Sequence, residues 1–174
     1  MPRFSRPRKS PRHQYDADCA PDVNKKTTPK IMPPAYFAFL LLLAIALHFS
    51  FPAPSVFYPP WNYIGAALIL LGIILNLWSD QLFRKKQTTV KPHEVPSTLV
   101  TTGPFRISRH PMYLGMMLIL LGTAVFLGSL SSLIAPAAFI LITETWFIPM
   151  EERNLERKFG TDYSGYRKRV RRWI

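Results

Sequence analysis

Long apolar runs dominate the chain, and charged or proline-rich segments separate them. Residues 31–79 contain no Asp, Glu, Lys or Arg, and residues 111–149 contain only Glu144. About 20 apolar residues in a helix cross a hydrocarbon core. The pattern therefore predicts spans at about 35–51, 61–79, 111–128 and 130–148. The first is short and suits a helix with little tilt or a thin bilayer. Prolines punctuate these runs: Pro33 and Pro34 precede the first, Pro52 ends it, Pro111 opens the third and Pro149 follows the fourth. A proline at the first helical position removes an amide hydrogen that has no intrahelical partner there. After Pro149 a new helix, MEERNLERKFG, is expected to stop at Gly160. An amphipathic piece with Tyr163, Tyr166 and Val170 follows, so that C-terminal helices cover 150–172. The expected fold class is all-α: an integral membrane helical bundle of about four transmembrane helices plus a cytoplasmic C-terminal helix.

Smaller features fit this layout. Gly115 and Gly122 are seven apart, so they share one helix face and let another helix approach closely. Tyr58 and Trp61 suit the membrane–water boundary. His48 reads as a polar contact facing into the bundle. An apolar run behind a basic front also resembles a signal peptide. No small-x-small cleavage site follows, and three further spans do, so a retained first helix is expected.

Charge settles the expected topology. The formal net charge is +12 over 174 residues. Of the 22 Lys and Arg, eight lie in residues 1–34, six in 80–110 and eight in 150–174. The connections at 52–60 and near Gly128 and Ser129 carry none. Loops rich in Lys and Arg stay on the cytoplasmic side. Both termini and the central loop are thus expected in the cytoplasm, at the inner membrane, with the basic excess also attracting anionic membrane lipids. No groove-reading motif accompanies the charge, so a nucleic-acid partner is not expected. Residues 1–34, with seven prolines and few apolar side chains, read as a disordered basic tail, and 35–174 as the membrane domain. The single Cys19 has no internal partner for a disulfide, and no metal site is expected.

Candidate chemistry gathers around the loop at 85–110. Prolines at 92, 96 and 104 break any regular element there, and a loop this long in a compact membrane protein is functional or disordered. It leads into TTGPFRISRHPMYLG, residues 101–115, with Arg109 and His110 just before Pro111. The residue before a proline is pushed out of helical geometry, which frees the His110 ring to face a ligand. Glu151 and Glu152 follow the fourth span, in a first helical turn where the dipole favours carboxylates. A helical hairpin returns the His and the Glu pair to one side of the membrane. Glu144, an ionisable residue inside a span, is a further candidate.

Two segments, STLVTTGPFRISRHPMYLG (97–115) and EERNLERKFGTDYSGYRKRVRRWI (151–174), resemble the isoprenylcysteine carboxyl methyltransferase family and the related membrane phospholipid methyltransferases. The shared pattern is a loop ending in LV-T-x-G-P-aromatic, then R-H-P-x-Y-x-G, a Glu pair and F-G-x-x-Y-x-x-Y. All occur here in order, over roughly residues 60–174. The resemblance implies S-adenosylmethionine-dependent methyl transfer to a lipid-like or small hydrophobic acceptor, a carboxylate, amine or thiol, at the cytoplasmic membrane face. It implies cofactor binding by Ser97, Thr98, Leu99, Val100, Phe105, His110, Pro111, Met112, Tyr113 and Glu151, with His110 and Glu151 as the catalytic pair. In one respect the chain departs from the pattern: eukaryotic members carry a substrate-linked arginine near the end of the fourth helix, where this chain has Trp146-Phe147-Ile148. Two other classes stand beside this reading, a membrane NADPH-dependent reductase of the sterol-reductase kind and a non-enzymatic helical scaffold or transporter. The compact RHPxYxG with its Glu pair favours the methyltransferase, and a scaffold leaves the clustered His and Glu without a task.

Overall fold

The structure, a computed structural model, describes residues 33–50, 59–85 and 98–174. The basic segment with Cys19, the connector residue Tyr58 and loop residue Ser97 lie outside the described residues. Among the described residues six α-helices follow in order: α1 Pro33–Ser50, α2 Tyr63–Lys85, α3 Pro111–Leu127, α4 Ile134–Ile142, α5 Ile148–Phe159 and α6 Thr161–Arg169. Among the described residues there is no sheet. Among the described residues three helical runs are long and apolar enough to cross a membrane, Pro33–Ser50, Tyr63–Lys85 and Leu130–Phe159, and α3 is a shorter apolar helix. The chain is an all-α membrane helical bundle.

Two helices run on past their expected membrane spans, for physical reasons. Helix α2 runs on past Ser79 to Lys85, because Asp80 and Arg84, one turn apart, pair at 2.7 Å and basic residues suit a helix C-terminus. The fourth helix does not stop before Pro149. It continues from α4 through a wide π-type turn at Thr143–Phe147 into α5, with Pro149 in the first turn of α5. A proline ring clashes with the carbonyl four residues earlier. The wide turn ends just ahead of that ring, where widening the backbone relieves the clash.

Helices α2 and α3 pack face to face through glycine. A Cβ placed on Gly65 would lie 2.5 Å from Gly122 O, and one on Gly72 would lie 2.5 Å from Gly115 O. The face expected at Gly115 and Gly122 is thus met by a matching glycine pair from α2. Helix α1 packs against α3 and α4. The buried core there comprises Leu40, Ala44, Tyr113, Leu120, Ala135, Phe139, Phe147 and Ile148. Tyr36 meets Phe147 edge-on at 5.6 Å, and Ser132 Oγ donates to Ala44 O at 2.9 Å. His48 is half-buried beside Phe49, and its Nδ1 has no hydrogen-bond partner among the described residues. The outward faces of α1 and α2 expose large apolar side chains such as Phe39, Leu42, Leu70 and Ile74, as a lipid-facing surface requires.

Candidate active site

Prolines and glycines steer the loop before α3 into position. Gly103 has φ 62°, a left-handed conformation open to glycine, and packs against Leu82 and Trp78 of α2. A 3₁₀ turn, Gly103–Arg106, follows. Phe105 is buried with its ring edge-on to Phe83 at 5.2 Å, and its carbonyl accepts a 2.6 Å hydrogen bond from Tyr166 Oη of α6. His110 then takes φ −127° and ψ 59°, off the helical values, as the position before Pro111 demands. Its amide donates to Ser108 Oγ at 3.2 Å.

The His110 ring is buried between two carboxylates of α5. Nδ1 lies 3.4 Å from Glu151 Oε2, and Nε2 lies 3.6 Å from Glu152 Oε1. Nε2 has no hydrogen-bond partner among the described residues. One turn along α3, Tyr113 Oη donates to Glu151 Oε1 at 2.6 Å, and its ring centroid is 5.8 Å from that of His110. Burial alone would lower the pKa of His110. The Glu151 and Glu152 carboxylates that face its two nitrogens outweigh burial and hold it above the ordinary 6.5.

Glu152 is the buried centre of a wider network. Arg109 Nη1 lies 2.8 Å from Glu152 Oε1, with both side chains under a tenth exposed, and also donates to Tyr163 Oη at 3.3 Å. From the other side Arg172 reaches both oxygens of Glu152, through Nε at 3.2 Å and Nη2 at 2.9 Å. Its remaining nitrogen Nη1 donates to Glu144 Oε2 at 2.8 Å, and Trp173 Nε1 donates to Glu144 Oε1. The parts played by Arg172 and Trp173 are not readable from the sequence. The only signal was indirect: an acid inside an apolar run needs a cation, and residues 150–174 offer eight.

His110, Tyr113 and Glu151 thus converge at one point, where the first turns of α3 and α5 meet. Pro111 is buried and Met112 half-buried beside them, and Val100 is buried in the loop. Thr98 and Leu99 lie apart from that point. Together with Thr101, Phe159, Asp162, Tyr166 and other residues of α6 they line a surface cleft of about 560 Å³, whose lining does not include His110 or Glu151. Tyr166 lines the cleft and bonds the backbone of Phe105.

A model of the phospholipid methyltransferase family matches residues 61–162. Protein-S-isoprenylcysteine O-methyltransferase B of Arabidopsis thaliana is 30% identical over 156 residues, which cover 85% of this chain and 78% of that protein. A probable protein-S-isoprenylcysteine O-methyltransferase of Oryza sativa subsp. indica is 32% identical over 63% of this chain and 58% of its own length. A Haemophilus influenzae protein is 41% identical over 63 residues, which are 36% of this chain and the whole of that protein.

Proposed function

The chain belongs to the phospholipid methyltransferase family and is a membrane methyltransferase of the isoprenylcysteine and phospholipid type, and from that premise we propose that it takes its methyl group from S-adenosylmethionine and passes it to a lipid-like acceptor beside His110 and Glu151. The observation that carries this reading is the convergence of His110 and Tyr113, at the start of α3, with Glu151 of α5, the imidazole lying between two carboxylates.

The donor set fits that cofactor. The Glu151 carboxylate can accept from an ammonium or from ribose hydroxyls, and a raised pKa lets His110 carry the positive charge that a carboxylate seeks. Tyr113 offers an aromatic face to a sulfonium. We assign Val100, Phe105 and Pro111, which are buried, and the half-buried Met112 to its apolar surround. We assign Thr98 and Leu99 to the same ligand through their cleft, whose volume of about 560 Å³ suits a small molecule. Bound there, the cofactor supplies an electrophilic methyl carbon for in-line displacement. The chain's own task is to orient and to keep out water. Tyr113 fixes the Glu151 carboxylate, Glu151 and Glu152 fix the imidazole, and Arg109 and Arg172 match the charge of Glu152. A carboxylate acceptor needs no base, and Glu152, already paired with two guanidinium groups, is ill suited to be one. In this reading the site faces the cytoplasm, on the side of the basic segments.

Calorimetric titration of the detergent-solubilised protein with S-adenosylhomocysteine and, separately, with NADPH tests the proposal. Binding of S-adenosylhomocysteine alone is expected. Binding of NADPH alone, or of neither by a folded sample, would overturn it.

A further inference from the structure

Val170 leaves α6 in extended conformation, and the segment that follows runs alongside the loop that carries His110. Arg109 N donates to Arg171 O at 3.0 Å, and Ser108 Oγ donates to Arg172 O at 3.1 Å. Two backbone anchors therefore fix where the Arg172 side chain leaves the chain. Its guanidinium lies against the wide turn and α5 and makes three bonds: a two-pronged contact to Glu152 and a single one to Glu144. The wide turn at Thr143–Phe147 makes that triple contact geometrically simple. In an unbroken α-helix, residues eight apart diverge by about 80°. A wide turn absorbs roughly one extra residue, so Glu144 and Glu152 come to one face, where a single guanidinium meets both.

Glu152 in turn faces the imidazole: its Oε1 lies 3.6 Å from His110 Nε2. We propose that Arg172 is a positioning residue for methyl transfer, acting through Glu152 to fix the orientation and electrostatic surroundings of His110, with Glu144 as its anchor. The inference rests on reading His110 and Glu151 as the cofactor site. The charged and titratable groups that face this ring are Glu151 and Glu152 from α5 and Tyr113 from α3. Arg109, Arg172 and Tyr163 act at one remove, through Glu152 or Arg109.

The test compares the whole protein with Arg172→Gln and Arg172→Lys in detergent. Two quantities are read: S-adenosylhomocysteine affinity by calorimetry, and titration of the His110 ring by nitrogen NMR, assigned against His110→Asn. Arg172→Gln should weaken binding roughly tenfold to a hundredfold, as misplacement at an active site does. It should also raise the His110 midpoint, because Glu152 loses a neutralising partner. Arg172→Lys keeps the charge but not the fork, so the midpoint should stay near wild type while affinity still falls. A role confined to packing the segment would leave the midpoint unmoved in both. Wild-type affinity and wild-type titration in a folded Arg172→Gln sample overturn the proposal. If that variant does not fold, wild-type affinity in Arg172→Lys overturns it. If the wild type binds no S-adenosylhomocysteine, the cofactor reading falls, and the His110 midpoint still decides whether Arg172 governs the ring.

Discussion

Tyr113 Oη donates a 2.6 Å hydrogen bond to Glu151 Oε1 and so ties the first turn of α3 to the first turn of α5. The bond joins a buried hydroxyl to a carboxylate whose other oxygen faces His110. Tyr113→Phe keeps the ring and the core packing but removes the donor. Hydrogen bonds to charged groups contribute about 1.5–3 kcal/mol. A drop of that size in unfolding free energy is expected by denaturant titration, together with weaker S-adenosylhomocysteine binding. An unchanged affinity would mean that Glu151 does not need this bond to hold a ligand.

Glu151→Gln preserves size and removes charge. The side chain can still accept from Tyr113, so the fold should persist and expression should be near normal. Cofactor affinity should collapse if the carboxylate meets an ammonium or hydroxyl group. The His110 ring also loses one of the two charges that raise its pKa, so its NMR midpoint should move down. A folded variant that binds S-adenosylhomocysteine as tightly as wild type removes Glu151 from the site.

The raised pKa of His110 has a consequence for stability with a definite sign. The folded protein binds this proton more tightly than the unfolded chain, whose value is near 6.5. The stabilisation is present in full below that value and disappears as pH climbs through the higher folded value. Melting temperature should therefore decline as pH rises above the ordinary 6.5 and through the raised folded value, and His110→Asn should flatten that decline. Equal slopes in the two proteins would show that the folded protein holds this proton no more tightly than the unfolded chain does.

How much of this was legible from the residues depends on range. The spans stand out because lipid tolerates few charges, and Gly115 with Gly122 marks a close contact because no other residue permits it. The pairing of His110 with Glu151 follows from hairpin logic once both flank apolar helices. Glu144 and Arg172 could not be matched that way. Their contact needs the wide turn ahead of Pro149 and the reversal through α6, and neither has a periodic signature. The continuation of the fourth helix through Pro149 was hidden for the same reason: proline marks a helix end unless the preceding turn widens to accept it.

Glycine packing between α2 and α3 gives a sharp mutational test. A methyl on Gly65 would sit 2.5 Å from Gly122 O and from Phe126 N, backbone atoms that cannot swing aside. Overpacking of this kind costs about 1–3 kcal/mol. Gly65→Ala should lower the melting temperature accordingly. Gly165 in α6 has nothing within 4 Å of the same position, so Gly165→Ala should be neutral or stabilising by up to about 1 kcal/mol. Equal effects at both positions would refute close packing of the two helices.

Two ion pairs of nearly equal length should differ widely in worth. Arg109 and Glu152 meet at 2.8 Å with side chains 9% and 7% exposed, and Arg84 and Asp80 meet at 2.7 Å with side chains 78% and 33% exposed. Water screens the second pair, and i,i+4 pairs on a helix surface contribute about 0.3–0.5 kcal/mol. Removing one partner of a buried pair strands the other charge, at a cost of about 3–5 kcal/mol. Arg172 remains bonded to Glu152 and softens that loss, so the lower end is expected for Arg109→Met. Denaturant titration of Arg109→Met and Arg84→Met, side by side, measures both. A buried-pair effect no larger than the surface one would mean that water reaches Glu152 in the folded protein, and that the charge network around His110 is far softer than its distances imply.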